Sequence, residues 1–156
     1  MNAIVTKQLS KKAMGGVVNF CVHGPTGNIT ASDYTPAKLI EALRMGLPVR
    51  ELDALQTSLD MPMEKLVPML GISKATLHRR KLEGRLGTAE SDRVVRFARL
   101  MGKAVEVLES EANARQWLTA PQFGLGGAVP LDYAETEVGA REVEDLLGRI
   151  EYGVYS

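Results

Sequence analysis

The stretch that decides the fold is Met63-Glu-Lys-Leu-Val-Pro-Met-Leu-Gly-Ile-Ser-Lys-Ala-Thr-Leu-His-Arg-Arg-Lys-Leu82. Its apolar residues fall at helical spacing on both sides of Gly71, which predicts two short helices joined by a tight turn. The turn needs a residue that accepts positive φ, and Gly71 supplies it. We expect Ile72 to fill the space beneath the turn and Ser73 to cap the second helix. The stretch is therefore typical of a helix-turn-helix.

The second helix of this motif carries the residues expected to read DNA. A capped helix presents its N-terminal half to the major groove, where Lys74, Ala75, Thr76 and Arg79 are predicted to reach base edges. Arg79 is suited to a bidentate contact with guanine, worth roughly 1–3 kcal/mol of discrimination. The full set of predicted DNA contacts is Ser73, Lys74, Ala75, Thr76, Arg79, Arg80, Lys81 and Arg85, of which the last three are better placed for phosphates. The alternative is an ordinary αα-hairpin with a solvated basic face.

The charge distribution divides the chain into unequal parts. Among its 156 residues, 45% are apolar and 24% are charged, values that exclude wholesale disorder and a low-complexity fibre. The formal net charge is zero, yet residues 62–103 carry 10 positive and 4 negative side chains, and residues 104–156 carry 3 positive and 10 negative. The basic middle and the acidic end indicate two surfaces with different partners, unless both are simply solvated.

Helical patterns continue outside the motif and predict an all-α fold. Thr35-Pro36 begins the first helix, Thr88 is expected to cap the longest one, and Pro130 restarts a helix that Val138-Gly139 interrupts. Three segments are predicted: an irregular N-terminal arm at 1–34, a helix-turn-helix DNA-binding domain at 35–103, and a small helical domain with an extended tail at 104–156. In the glycine-rich arm, the apolar patch from Val17 to Val22 suggests a short strand, or a segment that orders on a partner.

Several kinds of site and location are disfavoured by the residues present. The one cysteine, Cys21, excludes an internal disulfide and fits a reducing compartment. No apolar run reaches the ~20 residues of a membrane span, and the first ten residues lack a secretory core, so a cytoplasmic protein is expected. Cys21-Val-His23 offers too few ligands for a metal, and Gly124–Gly127 lacks the strand and lysine of a phosphate loop. We predict no catalytic residues, no cofactor and no metal.

Three C-terminal segments carry a family resemblance. Ala112–Leu118, Leu125–Asp132 and Thr136–Tyr155 strongly resemble the toxin-binding domain of the Xre/MbcA/ParS antitoxins. Ser73–Lys81 and Glu90–Arg93 are similar to the Xre-like DNA-binding half of that family. The resemblance covers about residues 36–156, and its specific elements are Gly-Gly-x-x-Pro-Leu-Asp and Ile-Glu-Tyr-Gly-Val.

The resemblance implies a type II toxin–antitoxin system. Members of the family pair with RES-domain toxins, which resemble ADP-ribosyltransferases in fold and deplete NAD. The antitoxin is not an enzyme; it forms a homodimer, blocks the toxin, and with it binds its own operator to repress transcription. The family's C-terminal segment reaches the toxin's active-site cleft. Carried over, the resemblance assigns toxin contact to Arg149, Glu151, Tyr152, Gly153, Val154, Tyr155 and Ser156.

A second reading of the same sequence remains open. The chain could be a stand-alone helix-turn-helix transcriptional repressor whose acidic half only dimerises. The residue types of the C-terminal part favour a protein partner. Five of the eight aromatic residues lie after residue 110, and tyrosine dominates interface hot spots. The alternative for the tail is that it frays, as most termini do. Co-purification of a partner protein separates the two readings.

Overall fold

A computed structural model describes residues 16–25 and 30–153 of the chain. The helices are α1 (Gly16–His23), α2 (Pro36–Met45), α3 (Arg50–Leu59), α4 (Met63–Met69), α5 (Lys74–Glu83), α6 (Thr88–Leu108), α7 (Glu111–Leu118), α8 (Pro130–Tyr133) and α9 (Glu137–Glu151), with 3₁₀ turns at Ala31–Tyr34 and Phe123–Leu125. Within the described ranges no strand forms, and the extended pairing is one antiparallel bridge between Pro48 and Arg85. The all-α prediction is confirmed.

The long helix α6 organises the whole core. It packs against α1, α3, α7 and α9, and Val94, Phe97 and Met101 on it are almost fully buried. The buried side chains form one cluster to which residues on both sides of position 103 contribute. The boundary predicted between residues 103 and 104 therefore lies inside a continuous helix. In the described part of the chain, no helix is both long and apolar enough to span a membrane.

The prediction of an irregular N-terminal arm is wrong for Gly16–His23. These residues form helix α1 and not a strand or a loose segment. Val17, Val18 and Val22 are buried, and the spacing from Val18 to Val22 is that of one helical turn. The sequence misled because residues 18, 20 and 22 also alternate as in a strand. Phe20 lies on another side of the helix, with its ring centroid 5.0 Å from that of Tyr34.

Two glycines allow helices to approach one another closely. A Cβ at Gly102 on α6 would overlap the carbonyl oxygen of Cys21 on α1, so this glycine permits the crossing of the two helices. A Cβ at Gly139 would overlap the carbonyl oxygen of Tyr133. The predicted interruption at Val138-Gly139 is wrong, since α9 runs through it. The break lies just before α9, whose N-cap Thr136 accepts a hydrogen bond from the Gly139 amide at 3.1 Å.

Candidate functional site

The helix-turn-helix geometry follows from its turn. Gly71 has φ 68°, as the sequence predicted, and Leu70 and Ile72 on either side of it are buried. Arg93, on the long helix α6, donates from Nη1 to the Leu70 carbonyl oxygen at 3.1 Å. A half-buried arginine thus satisfies a carbonyl at the end of α4 and holds the turn against α6.

The cap of α5 determines which side chains at the start of this helix are available to contact DNA. Ser73 Oγ accepts a hydrogen bond from the Thr76 amide at 3.1 Å, which confirms the predicted N-cap. The Ser73 and Thr76 hydroxyl oxygens are 2.9 Å apart, so the Thr76 side chain is engaged in the cap. Lys74, Arg79 and Lys81 are exposed, and among residues 16–25 and 30–153 none of the three has an ion-pair partner. They are the cations that this helix presents to solvent.

Arg80 has a structural role that the sequence did not reveal. Its Nε lies 2.8 Å from Glu90 Oε1 on α6, and its Nη1 lies 3.0 Å from Glu83 Oε2. Burial is the largest single influence on Glu90 and raises its pKa, but the hydrogen bond and charge of Arg80 together with backbone hydrogen bonds outweigh it, and the pKa is lowered. The same hydrogen bonds raise the pKa of Arg80. The pair braces α5 against α6, so this guanidinium is less available to a phosphate than the sequence suggested.

Arg85 is similarly engaged beyond the end of α5. Its Nη1 donates to the Gly46 carbonyl oxygen at 2.8 Å. On either side of it, the Leu86 amide donates to the Leu47 carbonyl oxygen at 2.8 Å, and the Val49 amide donates to the Gly84 carbonyl oxygen at 3.1 Å. These bonds tie the α2–α3 connection to the α5–α6 connection. Arg85 remains exposed at this junction, away from the residues at the start of α5.

The C-terminal candidate segment begins on α9 and is held to α6 by an ion pair. Lys103 Nζ lies 2.8 Å from Glu151 Oε2 at the end of α9, and this contact raises the pKa of Lys103. Tyr152 follows with 80% of its surface exposed. The Nε of half-buried Arg149 has no hydrogen-bond partner within residues 16–25 and 30–153. The remaining predicted contacts, Val154, Tyr155 and Ser156, lie outside the described residues.

Comparison with known proteins matches both halves of the chain. Residues 38–99 match the antitoxin Xre-like helix-turn-helix domain, and residues 103–153 match the antitoxin Xre/MbcA/ParS C-terminal toxin-binding domain. An Antitoxin Xre of Yersinia enterocolitica is 37% identical over 120 residues, which cover 76% of this chain and 81% of the relative. The chain belongs to the Xre/MbcA/ParS family of antitoxins.

Two other relatives of this antitoxin support the assignment. An Antitoxin Xre of Photorhabdus laumondii is 35% identical over 116 residues, covering 73% of this chain and 78% of the relative. A Prs ADP-ribosylating antitoxin of a Sphingobium strain is 24% identical over 132 residues, covering 78% of this chain and 83% of the relative. Antitoxins are a regulatory class and not enzymes. The helix-turn-helix implies DNA as one partner, and the antitoxin domain implies a toxin as another.

The cysteine and histidine near the N-terminus of this antitoxin have separate surroundings. Burial raises the pKa of the half-buried Cys21 thiol to about 11, an effect that nearby Arg99 only partly offsets. The thiol is thus protonated at neutral pH and a weak nucleophile. His23 Nε2 lies 3.4 Å from Glu111 Oε1. Among the described residues, no group of three or more side chains is arranged to hold a metal ion.

A buried carboxyl group was missed by the sequence analysis. Glu51 on α3 is fully buried, and its Oε2 accepts a hydrogen bond from the Val18 amide at the start of α1, at 2.8 Å. Its Oε1 has no partner in the described part of the chain. Burial raises the pKa of Glu51 to about 7, although the Val18 amide and Arg50 oppose the rise. The available signal was that Glu51 lies one turn before buried Leu55, on the apolar stripe of α3.

Proposed function

We propose that this antitoxin neutralises a RES-domain toxin that degrades NAD, by occluding the toxin's active site with its C-terminal segment. In the proposal it acts in the cytoplasm as a homodimer within a larger toxin–antitoxin complex. That complex binds operator DNA and represses transcription of its own operon. The observation that carries the proposal is the match of residues 103–153 to a toxin-binding domain, combined with exposed Tyr152 directly after the braced end of α9.

Charge supports the proposed occlusion. A cleft that binds NAD must accommodate a polyanionic dinucleotide, so cationic and hydrogen-bonding groups are expected there. Residues 104–156 have a net charge of −7, with 3 positive and 10 negative side chains, which favours association with such a cleft. Glu151 is held by Lys103, so in this proposal it sets the direction of the tail. Tyr152 is then the first side chain free to enter the cleft as an amphipathic anchor.

The proposal is tested by truncating the chain directly after the ion pair that holds the end of α9 to α6. Ending the chain after Glu151 removes Tyr152 and the residues that follow, while keeping the Lys103–Glu151 ion pair. The toxin encoded beside this chain's gene is expressed together with either form, and cellular NAD is measured. The full chain is expected to preserve NAD, and the truncated chain is expected to allow its loss. Arg141→Ala, an exposed change on the same helix, serves as the control.

Two results contradict the proposal in different ways. If the truncated chain protects NAD as well as the full chain does, occlusion by the tail is wrong. If a tagged full chain co-purifies with no protein from its own operon, the toxin partnership itself is wrong, and the stand-alone repressor becomes the better description. The operator part is tested separately, with DNA from the region upstream of the gene.

A further inference from the structure

Phe123 is the most exposed of the large apolar side chains in the described residues. It begins the 3₁₀ turn between α7 and α8, and 93% of its surface is open to solvent. A single exposed apolar residue is ordinary on a protein surface, so exposure alone does not identify a site. Two further features distinguish Phe123: the rigidity of its loop and the position of that loop against α9.

The loop that carries Phe123 is closed by hydrogen bonds at both ends. The Gln122 amide donates to the Ala128 carbonyl oxygen at 3.0 Å, and the Gly127 amide donates back to the Gln122 carbonyl oxygen at 2.9 Å. The Gln122 side chain donates from Nε2 to the Trp117 carbonyl oxygen at 2.9 Å. Leu125 points into the core. Phe123 is thus held outward by a fixed backbone, which lowers the entropy lost when a partner covers it.

The same loop is seated on the helix that leads to the tail. A Cβ at Gly124 would come within 2.6 Å of Leu146 Cδ1, which shows how closely the loop lies against α9. Leu146 is half-buried, and Gly124, which lies against it, directly follows the exposed Phe123 in the chain. On the same face of α9, exposed Glu142 lies one helical turn before Leu146 and half-buried Arg149 lies one turn after it. An apolar spot with charged neighbours therefore lies on α9 about six residues, or roughly 9 Å, before Tyr152.

We propose that Phe123 and Leu146 form a second, preformed anchor for the toxin, separate from the C-terminal tail. The inference rests on the proposed function, since the partner is the same toxin. The surface expected on the toxin is an apolar socket in a basic surface, which complements the net charge of −7 on residues 104–156. The two contacts have different tasks: the Phe123 anchor holds the toxin, and the tail, tethered beside it, fills the cleft at a high effective concentration.

The experiment measures affinity and inhibition separately. Binding of the toxin encoded beside this chain's gene is followed by biolayer interferometry with immobilised full-length antitoxin, and NAD consumption is assayed in parallel. Phe123→Ser is expected to raise Kd roughly tenfold or more, mainly through faster dissociation, as for an aromatic hot spot. Phe123→Tyr keeps the ring and is expected to bind as the wild type does. Met45→Ser is the matched control, since Met45 is 65% exposed on α2, outside the toxin-binding domain.

The outcomes are distinguishable. An unchanged melting temperature for Phe123→Ser, with weakened binding that Met45→Ser does not share, supports the second anchor. An unchanged Kd for Phe123→Ser, or an equal loss with Met45→Ser, overturns the second anchor and leaves the proposed function intact. If the wild-type chain does not bind the toxin, the proposed function itself fails before any variant is compared.

Discussion

Replacing Glu51 with glutamine should change how the stability of this antitoxin depends on pH. The carboxyl group is fully buried between α3 and α1, with one oxygen bonded to the Val18 amide and the other unpartnered among the described residues. The ionisable groups that face it are Cys21, Tyr34 and Arg50. Burial raises the pKa of Cys21 to about 11 and that of Tyr34 above its usual 10. Neither group therefore titrates together with Glu51.

The magnitude follows from the two pKa values of Glu51. Its pKa is about 7 in the folded chain and near its usual 4.5 in the unfolded chain. Between pH 4.5 and about pH 7, Glu51 is ionised in the unfolded chain and still protonated in the folded chain. The free energy of unfolding therefore falls as pH rises through this window, by up to ~3 kcal/mol. Above pH 7 both states are ionised, and the full cost persists. Glutamine does not ionise, so the free energy of unfolding of Glu51→Gln does not fall in this way as pH rises.

The assay is urea unfolding followed by circular dichroism from pH 4.5 to pH 8, for the wild type and Glu51→Gln. The variant is expected to gain stability relative to the wild type across this range, with most of the gain complete by pH 7. Glu41→Gln removes the same charge from the exposed surface of α2 and corrects for the change in net charge. A difference between wild type and Glu51→Gln that stays constant with pH would refute the assigned environment of this carboxyl group.

Three further changes test the sites and the packing. Arg79→Ala should weaken operator binding roughly 5–150-fold and relax the preference at one base position. Arg141→Ala removes the same charge and should have neither effect, and mobility-shift titrations measure both variants. Gly139→Ala should cost about 1–3 kcal/mol by overlapping the Tyr133 carbonyl, while Gly148→Ala, with open space around its Cβ, should gain about 0.5–1 kcal/mol. Glu90→Gln should lower the melting temperature at pH 7. The pKa of Glu90 is lowered in the folded chain, so its carboxylate stabilises the fold above the usual pKa of glutamate, and this stability is lost on acidification.

The helix-turn-helix was predictable because its signals are local. Gly71 supplies the positive φ that a tight turn requires, and Ser73 caps the next helix three residues from its hydrogen-bond donor. Both devices act within one helical turn, so the residues that form the structure are adjacent in the sequence. The amphipathic stripes of α6 and α9 are local in the same sense, and they place the C-terminal candidate segment at the end of α9.

The features that were missed depend on residues far apart in the chain. Helix α1 is stabilised by packing against α6, where Gly102 makes room for the Cys21 carbonyl. Nothing within residues 16–23 indicates that contact. Glu51 bonds to an amide 33 residues earlier. Arg80 was predicted to contact phosphate because it lies on a basic helix, but its partner Glu90 belongs to the next helix and becomes visible only in three dimensions.

The opposite charges of the two halves do not correspond to a division of the fold. One helix, α6, braces both candidate sites: Arg93 bonds to the Leu70 carbonyl at the DNA-binding turn, and Lys103 bonds to Glu151 at the start of the tail. These two side chains are ten residues apart, or about 15 Å along an unbroken helix. Because α6 also forms the centre of the core in the described part of the chain, the position of the end of α9 relative to α5 is set by a rigid element. A toxin anchored beside α9 would therefore be presented to DNA in one fixed arrangement.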